Sequence, residues 1–284
     1  MDPIRSTITL TFGDQAENHV GMEQLGELVP EGQGFNEEDL NRAYDFFTTQ
    51  GIAAELYHLH EAVDGMDDLP PAYLLVIRKA TEYFLQDAYG KREAPQHTTL
   101  FEAPQGRQQR QKELFEEQAA LPADKKAFMY GRVVNKHARW NLCFDTEGKE
   151  PDYEAGRGRV IAWDTVPLLR HLYDQFPAAF GDKATDLKGE GNYYYDTRHC
   201  GIGFHGDSER RKVIALRLGA SMPLYYQWFL QGKPVGPRLA VPLHDGDMYV
   251  MSEKAVGTDW KKKTIYTLRH ATGAEKFCTP ATGC

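Results

Sequence analysis

Residues 200–207 read CGIGFHGD, a short glycine-rich run that ends in the pair His205 and Asp207. Further short apolar runs, separated by Gly, Pro and Asp, flank it between residues 191 and 271: GNYYYD, KVIALRLGA, PLYYQWFL, PRLAVPL, DMYVMS and IYTLRHA. Short strands at close spacing with turn signals between them are typical of a β-barrel or a double-sheet jelly roll. This part of the chain is therefore predicted to form the β-sheet core.

The N-terminal region predicts a mixture of strands and helices. ITLTF at residues 8–12 alternates as a strand does, and NEEDLNRAYDFFTTQG at 36–51 has the acidic start and the terminal glycine of a helix. Strands are predicted at 53–59 and 72–80, and a helix at 81–89. We expect this region to be an accessory layer rather than the catalytic centre.

A polar segment lies between the two parts. Residues 91–125 are rich in Gln, Glu, Lys and Pro, with one amphipathic helix around RQKELFEEQAAL, and are typical of a linker or a mobile insertion. We place the domain boundary there. The predicted fold class is α+β: an N-terminal α/β accessory region at residues 1–125, then a double-stranded β-helix (jelly-roll) catalytic domain at 126–284 with one helix around 165–176.

Composition limits the class of protein. The chain has 284 residues, of which 41% are apolar, enough for a substantial core. It lacks an unbroken apolar run of roughly 18 residues, as a membrane span needs, and its start lacks the basic-then-apolar pattern of a signal peptide. We therefore expect an intracellular globular protein. Its four cysteines show no CxxC spacing, so we expect free thiols.

The formal charge of −8 argues against a protein that coats nucleic acid by bulk electrostatics. Three local basic runs remain, at Arg107 to Lys112, Arg210 to Lys212 and Lys261 to Lys263. GxGxxG, Walker and GxSxG patterns are absent, so the common nucleotide and hydrolase sites have no support. Nucleic-acid binding, if present, therefore depends on these patches.

The His205 and Asp207 pair indicates a metal site. Residues two apart on a strand point to the same face, so both side chains can reach one ion. Two His and one carboxylate on one side of Fe(II) leave open positions for a cosubstrate and O₂. The third ligand is His270, which ends the run IYTLRH, or His244, which precedes a turn; we favour His270 because its neighbours indicate partial burial.

These pieces resemble a known family. The stretch from 190 to 276 is similar to the AlkB-like branch of the 2-oxoglutarate and Fe(II) dioxygenases, and about half the chain is covered. The matching pieces are Asn192 with Tyr194, HGDSE at 205–209, IALRLGA, the strands around YYQWF, LHDGDMYVMS at 243–252, and upstream NKHARWNLCF at 135–144.

The resemblance implies a role for each matching residue. His205, Asp207 and His270 would hold Fe(II), and Asn192 and Tyr194 would contact the cosubstrate 2-oxoglutarate. Nearer to the substrate, it implies three more residues: Glu209, just after the metal pair, and Arg139 and Trp140, beside the base pocket.

A buried cosubstrate carboxylate also needs a cation. Lys276 lies six residues beyond His270, an even number, so it projects to the same face if the strand continues. Arg217 in VIALRLG is the alternative. The family usually ends in a pair of arginines that this chain lacks, and Asp259 with Trp260 stands where the distal His of other members would fall. Asp259 is therefore an alternative third ligand.

The leading expectation is an Fe(II)- and 2-oxoglutarate-dependent dioxygenase that hydroxylates, and so demethylates, a methylated base in DNA or RNA. The base would have to be flipped or unpaired to reach the metal. One alternative keeps the chemistry but takes a protein side chain or a small molecule as substrate. The negative net charge of the chain suits such a substrate better than a nucleic acid. A second alternative is an inactive binding module on the same fold.

Overall fold

The computed structural model describes residues 1–63, 65–66, 68–86 and 104–280 of the chain. Strands hold more of these residues than helices do. The strands are β1 (Thr7–Gly13), β2 (Gln15–Glu17), β3 (Gln24–Gly26), β4 (Ala54–His58), β5 (Tyr73–Ile77), β6 (Lys126–Met129), β7 (Arg132–Asn135), β8 (Trp140–Asp145), β9 (Val160–Ala162), β10 (Lys188–Tyr194), β11 (Gly201–His205), β12 (Val213–Gly219), β13 (Leu224–Leu230), β14 (Lys233–Val241), β15 (Met248–Met251) and β16 (Thr267–Gly273).

The α-helices that the structure describes range from four to sixteen residues in length. They are α1 (Glu37–Thr48), α2 (Ala80–Phe84), α3 (Pro104–Ala119), α4 (Pro167–Tyr173), α5 (Phe176–Phe180), α6 (Glu253–Val256) and α7 (Glu275–Cys278). Helix α1 begins with a capping box, because Asn36 accepts a hydrogen bond from the backbone of Asp39 while the Asp39 carboxylate accepts one from the backbone of Asn36. Its buried residues include Leu40 and Phe47, so this helix is held by packing as well as by its cap.

Two sheets carry the fold. The eight-stranded sheet has the order β4-β5-β15-β12-β1-β10-β8-β9, and the four-stranded sheet has the order β11-β16-β13-β14. Two small hairpins, β2-β3 and β6-β7, stand apart from them. This arrangement is compatible with a β-sandwich or a jelly roll.

The large sheet is covered on both faces. Along β1, Ile8, Leu10 and Phe12 belong to the core cluster shared with the helices, where Phe12 packs edge-on against Phe176 at 4.9 Å between ring centroids. The intervening threonines point to the other face, as strand alternation requires, and they too are buried. One face of each central strand is thus apolar and faces helices, and the other faces the small sheet.

A second core lies between the two sheets. Ala215 and Tyr249 from the large sheet cluster with Tyr226, Trp228 and Leu268 from the small one. The indole N–H of Trp228 is not left unpaired by this burial, because it donates to the backbone carbonyl of Leu59 at 3.0 Å. The inter-sheet space is therefore filled at one end, and its other end is open to a cavity described below.

The strand predictions are confirmed for each of the seven C-terminal runs, which correspond to β10 through β16. In the N-terminal region β1, α1, β4 and β5 also form where predicted. The helix predicted at 81–89 is seen as α2, which ends at Phe84; residues 87–89 lie outside the described part of the chain. The helix predicted around 165–176 is observed as α4, and α5 follows it directly.

The predicted domain boundary near 125 is wrong. Strand β1 lies in the middle of the large sheet, where it pairs with β10 on one side and β12 on the other, and β5 pairs with β15. Residues 1–125 therefore build the same sheet as the C-terminal region. The predicted linker is also partly structural, because α3 buries Leu114 and Phe115 against the core; residues 87–103 are not described.

Cys143, Cys200 and Cys278 are buried free thiols, as predicted, and Cys284 lies outside the described residues. Among the helices that the structure describes, none has the length and apolar character needed to cross a membrane.

Replacing Phe12 with alanine tests the central position of β1. Because Phe12 is fully buried, we expect Phe12→Ala to lower the free energy of unfolding by about 3–5 kcal/mol, measured by urea denaturation. Ile4→Ala is the control, since Ile4 is 84% exposed and should change stability by no more than about 0.5 kcal/mol. Equal small effects of the two substitutions would contradict a central β1.

Candidate metal centre and its pocket

Three potential metal ligands meet where β11 ends. His205 is the last residue of β11, and its register partner on β16 is His270. The Nε2 atoms of His205 and His270 lie 3.4 and 3.6 Å from the same oxygen, Oδ1 of Asp207. Two ligands that share one ion at about 2.1 Å stand roughly 3.0–3.4 Å apart, so the side chains are close to a binding arrangement before any ion is added.

The backbone around the pair allows little movement. A Cβ on Gly206 would lie 2.0 Å from the carbonyl oxygen of Gly257, so only glycine fits between the two ligands. The N–H of Asp207 donates to the carbonyl of Val256 at 3.0 Å. Nδ1 of His205 donates to the carbonyl of Gly203 at 2.8 Å, which turns Nε2 toward Asp207 and leaves it as the nitrogen available to a metal ion.

Electrostatics keep the ligands in the states that bind metal. Burial alone would raise the pKa of Asp207, but Arg210 and the two imidazoles outweigh it and hold that pKa well below its usual range. Burial, with the neighbouring His205, lowers the pKa of His270. Asp207 is therefore anionic and His270 neutral near pH 7, as coordination requires.

Arg210 connects the metal ligands to two other carboxylates. Its buried guanidinium is hydrogen-bonded to Glu190 and to Glu209, and its Nε lies 3.6 Å from Oδ2 of Asp207. Burial raises the pKa of Glu209 despite this pairing. Arg210 thus lies beside the outer oxygen of Asp207, while the inner oxygen faces the imidazoles.

A cavity of about 930 Å³ opens beside the three ligands, between the two sheets. Its lining combines the inner faces of β1, β10, β12, β15 and β16 with the loop after β2. The lining includes polar and aromatic side chains: Thr9, Thr11, Asn192, Tyr194, Arg217, Tyr249 and Thr272. The alternation that gives the large sheet an apolar helix face therefore gives the pocket its polar wall.

Arg217 is a buried cation in this wall. Its side chain is fully buried; Nη1 donates to Oγ1 of Thr9 at 2.5 Å and Nη2 to Oγ1 of Thr272 at 3.4 Å. Its Nε is buried without a hydrogen-bond partner, and no ion pair joins Arg217 to an acidic side chain among the described residues. A buried charge without a counter-charge is costly. An anion bound in this cavity would supply the missing counter-charge.

Strand β16 sets the position of Arg217 relative to the candidate metal ligands. Thr272, which Arg217 contacts, is two residues beyond His270 on β16 and points to the same face, about 7 Å along the strand. Arg217 is therefore joined to the candidate metal ligands through one face of β16.

Other predicted residues lie in the same pocket. Asn192 and Tyr194 line it, as do Arg139 and Glu209. Nε of Arg139 donates to Oδ1 of Asn192 at 2.7 Å, so these two side chains form one unit. Glu209 lines the pocket while it is paired with Arg210.

Two predicted site residues lie elsewhere. Strand β16 ends at Gly273, whose φ of 109° breaks the extended backbone, so Lys276 falls in helix α7, is exposed, and is absent from the pocket lining. Trp140 stacks on Tyr195 at 4.6 Å between ring centroids and is also absent from the pocket lining, because β8 turns Asn141 inward instead. Neither Lys276 nor Trp140 is in position for its predicted role.

The alternative third ligands are also excluded by their positions. Asp259 pairs with Lys254 at 2.7 Å and lines a separate cavity. His244 hydrogen-bonds to Ser221 and is exposed. Of the candidates weighed from the sequence, His270 is the one whose ligand atom lies within 4.8 Å of those of His205 and Asp207.

Sequence reasoning missed several pocket residues. Thr9 and Thr11 were read only as part of a strand, although their alternation with Ile8 and Leu10 marks a second, polar face. Arg210 was read as part of a basic run, yet it is buried among carboxylates. The pairing of β1 with its neighbours is what places Thr9 and Thr11 in the wall of the pocket.

The chain is similar to a mimivirus protein over almost the full length of both. It is 46% identical over 279 residues to "Uncharacterized protein R156" of Acanthamoeba polyphaga mimivirus. The aligned region covers 98% of this chain and 99% of the relative. No protein-family model matches the chain.

Metal loading tests the three ligands. We expect His205→Ala, Asp207→Ala and His270→Ala each to lose stoichiometric Fe(II) after anaerobic loading and desalting, as measured by metal analysis, because each removes one of three donors. His244→Ala, a histidine outside the group, should load as the unaltered protein does. Retention of iron by any of the three variants would exclude that residue as a ligand.

Proposed function

The chain belongs to the same family as mimivirus protein R156, and we propose that it is an Fe(II)- and 2-oxoglutarate-dependent dioxygenase. The proposal rests on two features that line the same cavity. One is a group of two imidazoles and one carboxylate, and the other is a buried arginine that has no carboxylate partner. A metal site alone suits many enzymes. The buried cation of Arg217 supports a ligand that is chelated at one end and negatively charged at the other.

The donor set fits Fe(II). Two His and one carboxylate held on one side of an ion leave the remaining positions open, as the oxygenases of this metal require. His205, Asp207 and His270 would hold the ion, with Arg210 beside the outer oxygen of the carboxylate. Bound Fe(II), 2-oxoglutarate and O₂ together supply the hydroxylation of a C–H bond.

The pocket wall fits 2-oxoglutarate. Arg217 would pair with the far carboxylate, and Thr9 and Thr272 already orient its guanidinium. Burial raises the pKa of Tyr249 to about 12, so its hydroxyl stays protonated and can donate to an anion at pH 7. Asn192 and Tyr194, on the inner face of β10, would contact the cosubstrate between the two ends.

We also propose the finer fold, a double-stranded β-helix, for the two facing sheets. In that arrangement the metal ligands and the anion site lie between the sheets, where protein side chains exclude water. The core cluster of Tyr226, Trp228 and Leu268 supports this, because it closes the inter-sheet space at one end. The substrate then enters from the opposite side, along the loop that follows β2.

A methylated nucleobase is the proposed substrate. The β6–β7 hairpin supports it: Tyr130 at its tip is 90% exposed, and Lys126 and Arg132 line the same surface pocket as Tyr130. Just after β7, Lys136 donates to the side chain of Asn18, a residue of the pocket rim. An exposed aromatic beside two cations suits a base stacked beside phosphates.

The basic run at Arg210 to Lys212 lends no support to this substrate. Arg210 is buried, and Arg211 pairs with Glu253 at 3.0 Å. Lys261 is exposed and lines the pocket, so that run can still face a phosphate. The net charge of −8 favours a second candidate, hydroxylation of a protein side chain or a small molecule.

Replacing Arg217 tests the cosubstrate site. A charge-assisted hydrogen bond contributes about 1.5–3 kcal/mol, so we expect Arg217→Met to raise the Kd for 2-oxoglutarate by about 10- to 150-fold, measured by anaerobic calorimetry with Mn²⁺ in place of iron. Lys276→Ala is the matched control and should bind normally.

The stability of the same variant separates this role from a structural one. Removing a buried, unpaired cation should leave the melting temperature of the ligand-free protein unchanged or higher. An Arg217→Met protein that is folded and still binds 2-oxoglutarate with the original affinity would overturn the assignment of the anchor.

Succinate release on methylated oligonucleotides tests the substrate. We expect single-stranded methylated oligonucleotides to stimulate succinate formation, and the salt slope of binding to fall by about one for each of Lys126→Ala and Arg132→Ala. Lys233→Ala, an exposed lysine outside the hairpin, should leave the slope unchanged. Turnover of 2-oxoglutarate without any oligonucleotide stimulation would favour the second candidate.

A further inference from the structure

A second group of metal-ligand side chains lies at the end of β4. His58, His60 and Glu61 offer one ligand atom each, and these atoms lie within 4.8 Å of one another. None of the three lines the cavity beside His205. Strand β4 is an outer strand of the large sheet, whereas β11 and β16 belong to the small sheet, so the two groups occupy different parts of the fold.

The two imidazoles converge on one carboxylate oxygen. Nδ1 of His58 lies 3.1 Å from Oε1 of Glu61, and Nε2 of His60 lies 3.7 Å from the same oxygen. Ligands that share one Zn²⁺ at about 2.0–2.2 Å stand roughly 3.0–3.5 Å apart. Small side-chain rotations would therefore bring all three donors onto one ion.

The backbone of Ala72 can set the tautomer of His60. Nδ1 of that ring lies 3.2 Å from both the carbonyl oxygen and the N–H of Ala72. When Nδ1 carries the proton and donates to the carbonyl, Nε2 keeps the lone pair that a metal ion needs. A backbone carbonyl on the far nitrogen is a common partner of metal-binding histidines.

The turn that carries these residues is held in place. Leu59, between the two histidines, is buried; its N–H donates to the carbonyl of Ala72 at 2.9 Å, and its own carbonyl accepts the Trp228 indole N–H. Both imidazole rings pack edge-on against Tyr73, at 5.2 and 5.1 Å between centroids. The donors are thus ordered before binding, which lowers the entropy cost of holding an ion.

We propose that His58, His60 and Glu61 form a surface site for a borderline divalent cation of the Zn²⁺ class. Two imidazoles and one carboxylate suit Zn²⁺, Ni²⁺ or Cu²⁺, whereas Ca²⁺ and Mg²⁺ prefer an all-oxygen shell. The side chains of His58 and Glu61 are 38% and 66% exposed, so water completes the coordination. A bound ion joins the end of β4 to the following turn and stabilises the folded chain.

Zn²⁺ titration of the full chain without an affinity tag tests this site. Calorimetry is done on the His205→Ala/His270→Ala protein, so that the internal group does not contribute. We expect one saturable Zn²⁺ site there, and a loss of affinity of more than about tenfold when His58→Ala or His60→Ala is added. His199→Ala, an exposed histidine outside both groups, is the matched control and should bind as before.

A second readout uses the otherwise unaltered protein. Zn²⁺ should raise its melting temperature, and His58→Ala/His60→Ala should reduce that rise while His199→Ala does not. Absence of saturable Zn²⁺ binding in the His205→Ala/His270→Ala protein, or unchanged binding after removal of His58 and His60, would overturn the proposal. Neither result bears on 2-oxoglutarate turnover. The surface metal site and the proposed dioxygenase activity are therefore tested independently.

Discussion

The burial of the large sheet on both faces is the constraint on which the rest of the structure depends. Strand β1 lies between β10 and β12, with helices against one face and the small sheet against the other. Because side chains alternate between the two faces of a strand, each central strand contributes to two different environments. Ile8, Leu10 and Phe12 fill the helix side, while Thr9 and Thr11 face the cavity. A polar pocket in the middle of the protein is the direct result.

Within that pocket the two buried arginines have opposite surroundings. Arg210 is surrounded by Glu190, Glu209 and Asp207, so its charge is more than balanced by the protein. The guanidinium of Arg217 has only threonine hydroxyls as hydrogen-bond partners in the described structure. The cavity is therefore negative where a cation would bind and positive where it faces no carboxylate. This polarity is what the proposed cosubstrate, chelated at one end and anionic at the other, would require.

Local features of the fold could be predicted from the sequence, and pairings could not. Strand alternation predicted β10 to β16, and the sequence paired His205 with Asp207, whose ligand atoms do lie together although β11 already ends at His205. The parity argument failed for Lys276 because Gly273 ends the strand, and Trp140 was misplaced because the inward face of β8 is set by its pairing with β10. The domain boundary failed for the same reason: composition does not reveal that β1 pairs with strands about 180 and 200 residues later.

The register of β11 against β16 explains why the third ligand depends on the whole fold. His205 and His270 are direct cross-strand partners, and a slip of one residue would turn His270 to the other face. Strand β16 is in turn fixed by β13, where Tyr226 is opposite His270. The ligand group therefore exists only when both pairings are formed. Since an ion held by all three side chains binds the folded chain and not the unfolded one, metal affinity and the stability of the small sheet are linked.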